Sequence, residues 1–350
     1  MHAMAVRQPN FWHTALNAHT SPQRFLVIGS NSFSGAQFIK HLLRHEHQVL
    51  GVSRSAELHP VFLPYLALNA GQRFRFAQVD INTQLDELMA LVREFEPEYV
   101  VNFAAQGMVA QSWEWPEHWY QTNVVGQVKL HDQLRKQSHI RRYVHISTPE
   151  VYGSTEGWIK ENFHFAPSTP YAASRAACDL HLMTFFKAYQ FPVVWTRAAN
   201  VYGPGQQLYR IIPRALLFAR MGRKLQLHGG GYSIRSFIHI DDVAEATYRV
   251  ATLGKSGESY HISTGETISI RSLIEIICEL TNRRFDQLVE PVGERLGKDQ
   301  AYLLDSGKVR SELGWRDSIP LAKGLQETLA WIDANFATLK SLPSDYIHKA

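Results

Sequence analysis

A doubly wound α/β fold with a parallel sheet is predicted by two observations. Short apolar, β-rich runs recur along the chain, and segments of helical period separate them. The runs cover residues 25–28, 49–52, 74–79, 99–103, 143–146 and 193–196. Strict alternation of this kind places helices on both faces of the sheet. After the first run, Phe38, Ile39, Leu42 and Leu43 fall on one helical stripe, and residues 124–134 repeat the period, so both segments are expected to cover the sheet.

From Pro204 onward the pattern is less regular. Gly229, Gly230 and Gly231 form a turn, residues 236–240 an apolar run, and residues 272–280 and 321–336 helices. This reads as a smaller C-terminal lobe completing a substrate cleft. With 350 residues, 45% of them hydrophobic and 19% charged, the chain is long enough to bury both cores, and dominant disorder is excluded.

The net charge of +4 arises from 36 Lys and Arg scattered among 32 Asp and Glu, so nucleic acid is not an expected partner. Cys178 and Cys278 show neither pairing nor metal spacing, which fits a reducing compartment, two inert thiols and no metal site. No apolar stretch approaches the ~18 residues of a spanning helix, and residues 1–20 lack a signal-peptide core. A cytoplasmic protein without membrane association is therefore expected, with residues 1–22 as a leader.

The stretch Phe25-Leu-Val-Ile-Gly29-Ser-Asn-Ser32-Phe33-Ser-Gly35 reads as strand, tight loop and helix start. Backbone N–H groups and the helix dipole at such a place hold a pyrophosphate, the Rossmann-like arrangement. It matches a GxxGxxG template at Gly29 and Gly35, with Ser32 in the middle. The second run ends at Gly51-Val52-Ser53-Arg54-Ser55, where an NAD site usually offers a carboxylate to the ribose. Here Arg54 suits a 2′-phosphate, so NADP is preferred over NAD. Asp80 and Ile81 after the third run face the adenine in this reading, and Ala104-Ala105 after the fourth allow close approach. The plainer alternatives are a tight turn of small residues, an exposed loop arginine and a turn-forming aspartate.

Tyr171-Ala-Ala-Ser-Arg175 opens a helical pattern, and the i, i+4 spacing puts phenol and guanidinium on one face. A fixed cation is expected to lower the phenol pKa, which suits a general base toward a sugar hydroxyl while hydride leaves the same carbon. Ser147-Thr148-Pro149-Glu150-Val-Tyr152-Gly153 follows an apolar run and so sits at the C-terminal end of a strand, where such sheets bind ligands. Thr148 there can hydrogen-bond a reacting hydroxyl, and a desolvated Glu150 can take a proton next to a new ketone. Against this stand a surface Tyr–Arg pair and a glutamate that caps a turn.

With these motifs the chain resembles the extended short-chain dehydrogenase/reductase superfamily, and within it the nucleotide-sugar 4,6-dehydratases, over about residues 24–335. Ser147-Thr-Pro-Glu-Val-Tyr-Gly153 is similar to the family's Ser-Thr-Asp-Glu-Val-Tyr-Gly, and Thr196-Arg-Ala-Ala-Asn200-Val-Tyr-Gly-Pro204 looks like its substrate-side turn. Ile212-Pro213, Ile234-Arg235-Ser-Phe-Ile-His-Ile-Asp241-Asp242 and Gly293-Glu-Arg295-Leu-Gly-Lys-Asp299 follow in the family's order. The resemblance implies a sugar-nucleotide substrate contacted by Gln106, Thr148, Asn200, Arg235 and Arg295, the two arginines on its diphosphate. It implies that Ser147, Tyr171 and Arg175 also touch the cofactor, with Thr148, Glu150, Tyr171 and Arg175 catalytic. A homodimer through the Tyr171 helix and the helix near residues 124–134 is implied as well. The expected division is a dinucleotide-binding domain over 23–203, joined again by about 236–262, a substrate lobe mainly over 204–340, and a tail over 341–350.

Residues 51–55 and 101–106 are closer to NADP-using GDP-mannose 4,6-dehydratases, whereas the C-terminal lobe looks like the dTDP-glucose enzymes. Four positions depart from the pattern: Ser32 for glycine, Arg175 for lysine, Pro149 for an acidic proton donor, and Gly107-Met108 for a more polar pair. The leading expectation is 4,6-dehydration with internal hydride return. A 4-epimerase, a UDP-glucuronate decarboxylase-type enzyme and a non-catalytic nucleotide-sugar or NADP(H) sensor are the alternatives.

Overall fold

The computed structural model describes residues 21–293 and 301–349. Seven parallel strands form the central sheet: β1 (Arg24–Ile28), β2 (Gln48–Ser53), β3 (Phe74–Gln78), β4 (Tyr99–Asn102), β5 (Arg142–Ile146), β6 (Val193–Ala198) and β7 (Ser259–Ile262). Their spatial order is β7-β6-β5-β4-β1-β2-β3. The order runs outward from β1 in one direction and from β4 in the other, so the crevice between their C-terminal ends is the switch point where such sheets bind ligands.

Successive side chains of a strand point to opposite faces, so the continuous apolar runs of the inner strands feed two cores, while the edge strand β3 stays partly exposed. Phe25 and Val27 point into one core with Phe38, Leu42 and Val250, while Leu26 and Ile28 point into the opposite core with Leu88, Val92, Leu130 and Leu182. The first core is covered by α1 (Phe33–Arg44), whose buried stripe is the predicted Phe38, Ile39, Leu42 and Leu43. The second is covered by α2 (Leu85–Phe95), α3 (Gln127–Leu134) and α4 (Pro170–Tyr189).

A third apolar cluster joins α5 (Ile211–Met221), α7 (Ile270–Thr281) and α8 (Leu321–Ala334) through Ile212, Leu216, Leu273, Ile277, Leu325 and Leu329. Between α5 and α7 lies α6 (Ile240–Leu253), which supplies Val243, Ala246 and Val250 to the first core. The run at 236–240 is only partly a strand: Phe237–His239 pairs in parallel with Asn200–Tyr202. β7 escapes the apolar-run criterion because Ser259 and His261 alternate with Tyr260 and Ile262, yet both polar residues are buried at the sheet edge beside β6.

Both cysteines are buried and unpaired. Among the described residues no helix is long and apolar enough to cross a membrane. Residues 1–20 of the expected leader lie outside the described residues.

Candidate active site

The first of two adjoining cavities lies at the C-terminal ends of β1–β4. Gly29 has φ +81°, and a Cβ there would stand 2.6 Å from the Ala104 nitrogen. The glycine loop therefore packs directly on the end of β4, a contact only glycine allows. At Gly35 a Cβ would meet the Gly29 carbonyl at 2.4 Å. Ser32 needs no such freedom: it is extended, with φ −69° and ψ 156°, and its hydroxyl caps α1 by accepting from the Gly35 N–H at 3.0 Å.

Side chains pin the surrounding loops. Ser53 Oγ accepts from the Asn31 N–H at 3.0 Å, and the Asn31 amide donates to the carbonyls of Ser55 and Ala56. Asn102 Oδ1 accepts from the Ala104 N–H at 2.9 Å, and Gln127 donates to the Ala104 carbonyl at 3.0 Å. The result is a cavity of about 520 Å³ lined by Gly29, Ser32, Ser53, Arg54, Asp80, Ile81, Ala104, Ala105 and Gln106. The first turn of α1 carries no acidic residue, so its dipole is open to an anion. These features fit a dinucleotide.

The second cavity, about 630 Å³, is lined by Phe33, Gln106, Met108, Ser147, Thr148, Glu150, Tyr171, Arg175 and Asn200. Thr169 caps α4, accepting from the Ala172 N–H, and Pro170 follows at the first helical position, which stands Tyr171 on the first turn. Pro149 opens a one-turn 3₁₀ helix, Pro149–Tyr152, and Thr148 Oγ1 donates to Glu150 Oε2. A π-helical turn over Gln121–Gly126 turns Asn123 inward. Its side chain accepts from the Gln106 N–H at 2.8 Å and donates to the Gln106 carbonyl and to Ser174 on α4.

One expectation is corrected here. The Tyr171 phenol is held above, not below, its ordinary pKa. Burial is the largest cause and the Glu150 carboxylate adds to it; Arg175 and a hydrogen bond with Thr148 oppose them without prevailing.

Arg175 is buried behind Tyr171. Its Nη2 donates to the Ile146 carbonyl and to His145 Nε2, the latter at 3.1 Å, while Nε and Nη1 have no protein partner. One turn on, Asp179 accepts from Arg197 at 2.7 Å and from Ser147 Oγ at 2.7 Å, and lies 3.4 Å from His145 Nε2. Burial and the guanidinium of Arg175 hold His145 well below the usual imidazole range. His131, His145 and Cys178 bring ligand atoms within 4.8 Å of one another. Burial pushes the Cys178 thiol up to about 12 and Arg175 abuts His145, so this cluster is electrostatically hostile to a cation.

The other predicted residues are placed as follows. Gly35 lies beneath the glycine loop. Arg235 stands outside the cavity lining, its guanidinium over the Tyr302 ring at 4.6 Å. Arg295 lies outside the described residues. Three features were missed. Tyr302 lines the second cavity and donates to Asn200 Oδ1 at 3.2 Å; burial and the Glu150 charge raise its pKa. Arg210 and Arg214 flank the predicted Ile212-Pro213 pair and also line it, a four-residue spacing that was legible. Residues Leu342–Lys349 pass over the first cavity, and no sequence signal marked them.

The switch-point crevice, the glycine loop and the Tyr171 helix define a dinucleotide-dependent enzyme of the extended short-chain dehydrogenase/reductase type. The chain belongs to the GDP-mannose 4,6 dehydratase family, whose model matches residues 26–328. A dTDP-glucose 4,6-dehydratase of Streptomyces antibioticus is 34% identical over 325 residues, covering 89% of this chain and 93% of that protein. The crystal structure of DesIV, a dTDP-glucose 4,6-dehydratase from Streptomyces venezuelae with NAD and TYD bound, superposes with a TM-score of 0.83 at 31% identity, covering 90% and 98% of the two chains. A UDP-glucose 4-epimerase from Thermotoga maritima with UDP-glucose shares the fold at TM-score 0.81 and 24% identity, covering 90% of this chain and all (100%) of that one.

The electrostatics give a signed prediction. Glu150→Gln removes a charge that raises the Tyr171 pKa, so the phenol titrates at lower pH; Thr148→Val removes a hydrogen bond that favours the phenolate, so it titrates at higher pH. Ultraviolet phenolate titrations, each referenced to a Tyr171→Phe background, read both shifts, and equal titrations in all variants contradict this reading.

Proposed function

We propose that this chain is a nucleotide-sugar 4,6-dehydratase working with a nicotinamide dinucleotide in the first cavity. The observation that carries the reading is the meeting of Thr148, Glu150 and Tyr171 in one cleft that adjoins the dinucleotide cavity through Ser32 and Gln106. In this reading residues 23–203 and 236–262 carry the dinucleotide, residues 204–340 mainly carry the sugar nucleotide, and the two buried thiols suit the cytoplasm.

Gly29, Ser32, Arg54, Asp80 and Ala104 would hold the dinucleotide, and Ser147, Tyr171 and the unpartnered donors of Arg175 would meet its nicotinamide end. Bound there, it supplies hydride acceptance from C4 of the sugar and return to C6. Tyr171 would remove the proton of the 4-hydroxyl as a phenolate; Arg175 and Thr148 favour that form but do not outweigh burial by themselves, and a positively charged nicotinamide bound beside it would add to them. Thr148 hydrogen-bonds the same oxygen. Once C4 is a carbonyl the C5 proton is acidic, and Glu150 takes it. Because Pro149 has no proton to give, Glu150 passes the same proton to the departing 6-hydroxyl, which leaves as water. As C6 regains hydride, C5 regains a proton through Glu150, and this balances the proton that Tyr171 took from the 4-hydroxyl. Asn200 and Arg210, which line the second cavity, hold the sugar diphosphate in this reading, with Gln106 beside the sugar; Arg235 stands outside that lining and reaches the diphosphate only if its side chain leaves the Tyr302 ring.

The finer cofactor choice rests on Arg54, which borders the cavity where β2 ends without a carboxylate. It favours NADP. Arg54→Ala is expected to weaken NADP about tenfold or more while changing NAD little, since a charge-assisted bond contributes roughly 1.5–3 kcal/mol; equal losses for both cofactors in calorimetric titration contradict the preference. Exposed Tyr120 and Val125 in the segment leading into α3, with exposed Leu180 and Tyr189 on α4, support a homodimer. Leu180→Glu should then sediment as a monomer where the parent sediments as a dimer.

The deciding experiment incubates the protein with dTDP-, UDP-, CDP- and GDP-sugars and follows product mass. Loss of about 18 Da with one substrate establishes dehydration and names the nucleotide. Glu150→Gln should lower that rate roughly 10²–10⁴-fold. Epimerisation at unchanged mass, which Pro149 leaves chemically open, or loss of CO₂ from a uronic acid would overturn dehydration. Binding without turnover would support the sensor.

A further inference from the structure

The geometry points to residues 343–349 as an outer wall of the dinucleotide site, a strap that encloses the bound cofactor and retains it from one turnover to the next. Beyond the buried Leu339 the chain turns back over the sheet and is fastened at four places. Asp345 pairs with Arg214. The Tyr346 ring meets Tyr209 edge-on at 5.3 Å. The His348 ring stacks on Trp115 at 4.8 Å and Trp119 at 5.2 Å, and its Nε2 lies 2.9 Å from His118 Nδ1. The Lys349 carbonyl accepts from Arg54 at 3.0 Å and from Gln106 at 2.6 Å.

These fastenings leave space rather than fill it. Pro343, Tyr346, Ile347 and Lys349 line the 520 Å³ cavity together with Gly29 and Ser53, and that volume lies in the range of small-molecule sites. Tyr346 also lines the second cavity, so the strap borders both ligands. The Lys349 ammonium reaches Ser55 Oγ at 3.5 Å, which adds a cation beside Arg54 where the ribose phosphate of the dinucleotide would lie. A dinucleotide beneath the strap leaves only after several of these contacts break together, so the strap acts on dissociation more than on association. Retention matches a reaction that restores its cofactor within each cycle, and the inference rests on the dinucleotide reading proposed above.

The test compares the full chain, a variant lacking residues 343–350, and the point variants His348→Ala and Lys349→Glu, which guard against a folding defect in the deletion. Nicotinamide fluorescence in stopped flow reads dissociation of NADPH and NADH, and calorimetry reads affinity. The deletion should dissociate the reduced cofactor at least about tenfold faster, and His348→Ala should move in the same direction by a smaller factor. Lys349→Glu should weaken NADPH more than NADH. Unchanged dissociation, or tighter binding by the deletion because residues 343–349 compete with the cofactor, overturns the strap while leaving the dinucleotide site intact. A full chain that binds neither cofactor overturns the parent reading and the strap with it.

Discussion

The Asp179 carboxylate, wholly buried beneath the second cavity, is the interaction on which the candidate site depends. It neutralises Arg197 on β6, accepts from Ser147 at the end of β5, and meets the imidazole that Arg175 also holds. Tyr171, Arg175 and Asp179 are spaced four residues apart on α4, so one helical stripe carries the phenol, the cation behind it and the anion behind that. Breaking such a buried pair typically costs about 3–5 kcal/mol, because the partner charge is left without compensation. Stability and active-site alignment are thus the same contacts seen from two sides.

The arginine at 175 gains a physical reason from this arrangement. A guanidinium can donate to the Ile146 carbonyl and to His145 from Nη2 alone and still present the N–H groups of Nε and Nη1 from other atoms, whereas an ammonium carries all three of its donors on one nitrogen. The charge is permanent, but it is spread and partly engaged beneath the sheet. Burial and the neighbouring Glu150 therefore dominate the Tyr171 phenol, and the expectation of a lowered pKa, drawn from spacing alone, fails. Spacing reveals that a cation is near; it does not reveal how much water has been removed.

What was legible in the sequence was local. The buried strands announced themselves as apolar runs, α1 through its stripe at Phe38, Ile39, Leu42 and Leu43, and the glycine loop through Gly29 and Gly35. Ser32 was visible as a departure, but its work as the helix cap depends on a backbone angle that no pattern displays. β7 was hidden by Ser259 and His261, whose burial is a tertiary outcome. Tyr302 and the Lys349 carbonyl reach their partners across 102 and 243 residues of chain, and nothing in their neighbourhoods foretells those meetings.

The π-helical turn at Gln121–Gly126 ties two surfaces together. A residue inserted into a helix rotates everything beyond it by about 100° relative to everything before it. Asn123 looks inward to Gln106 and α4, while Tyr120 and Val125 look out to solvent. Loss of that one residue would swing the inner and outer faces out of phase together. The segment behaves as a vernier: the setting that orients the amide toward the cleft also fixes which apolar side chains the exterior presents.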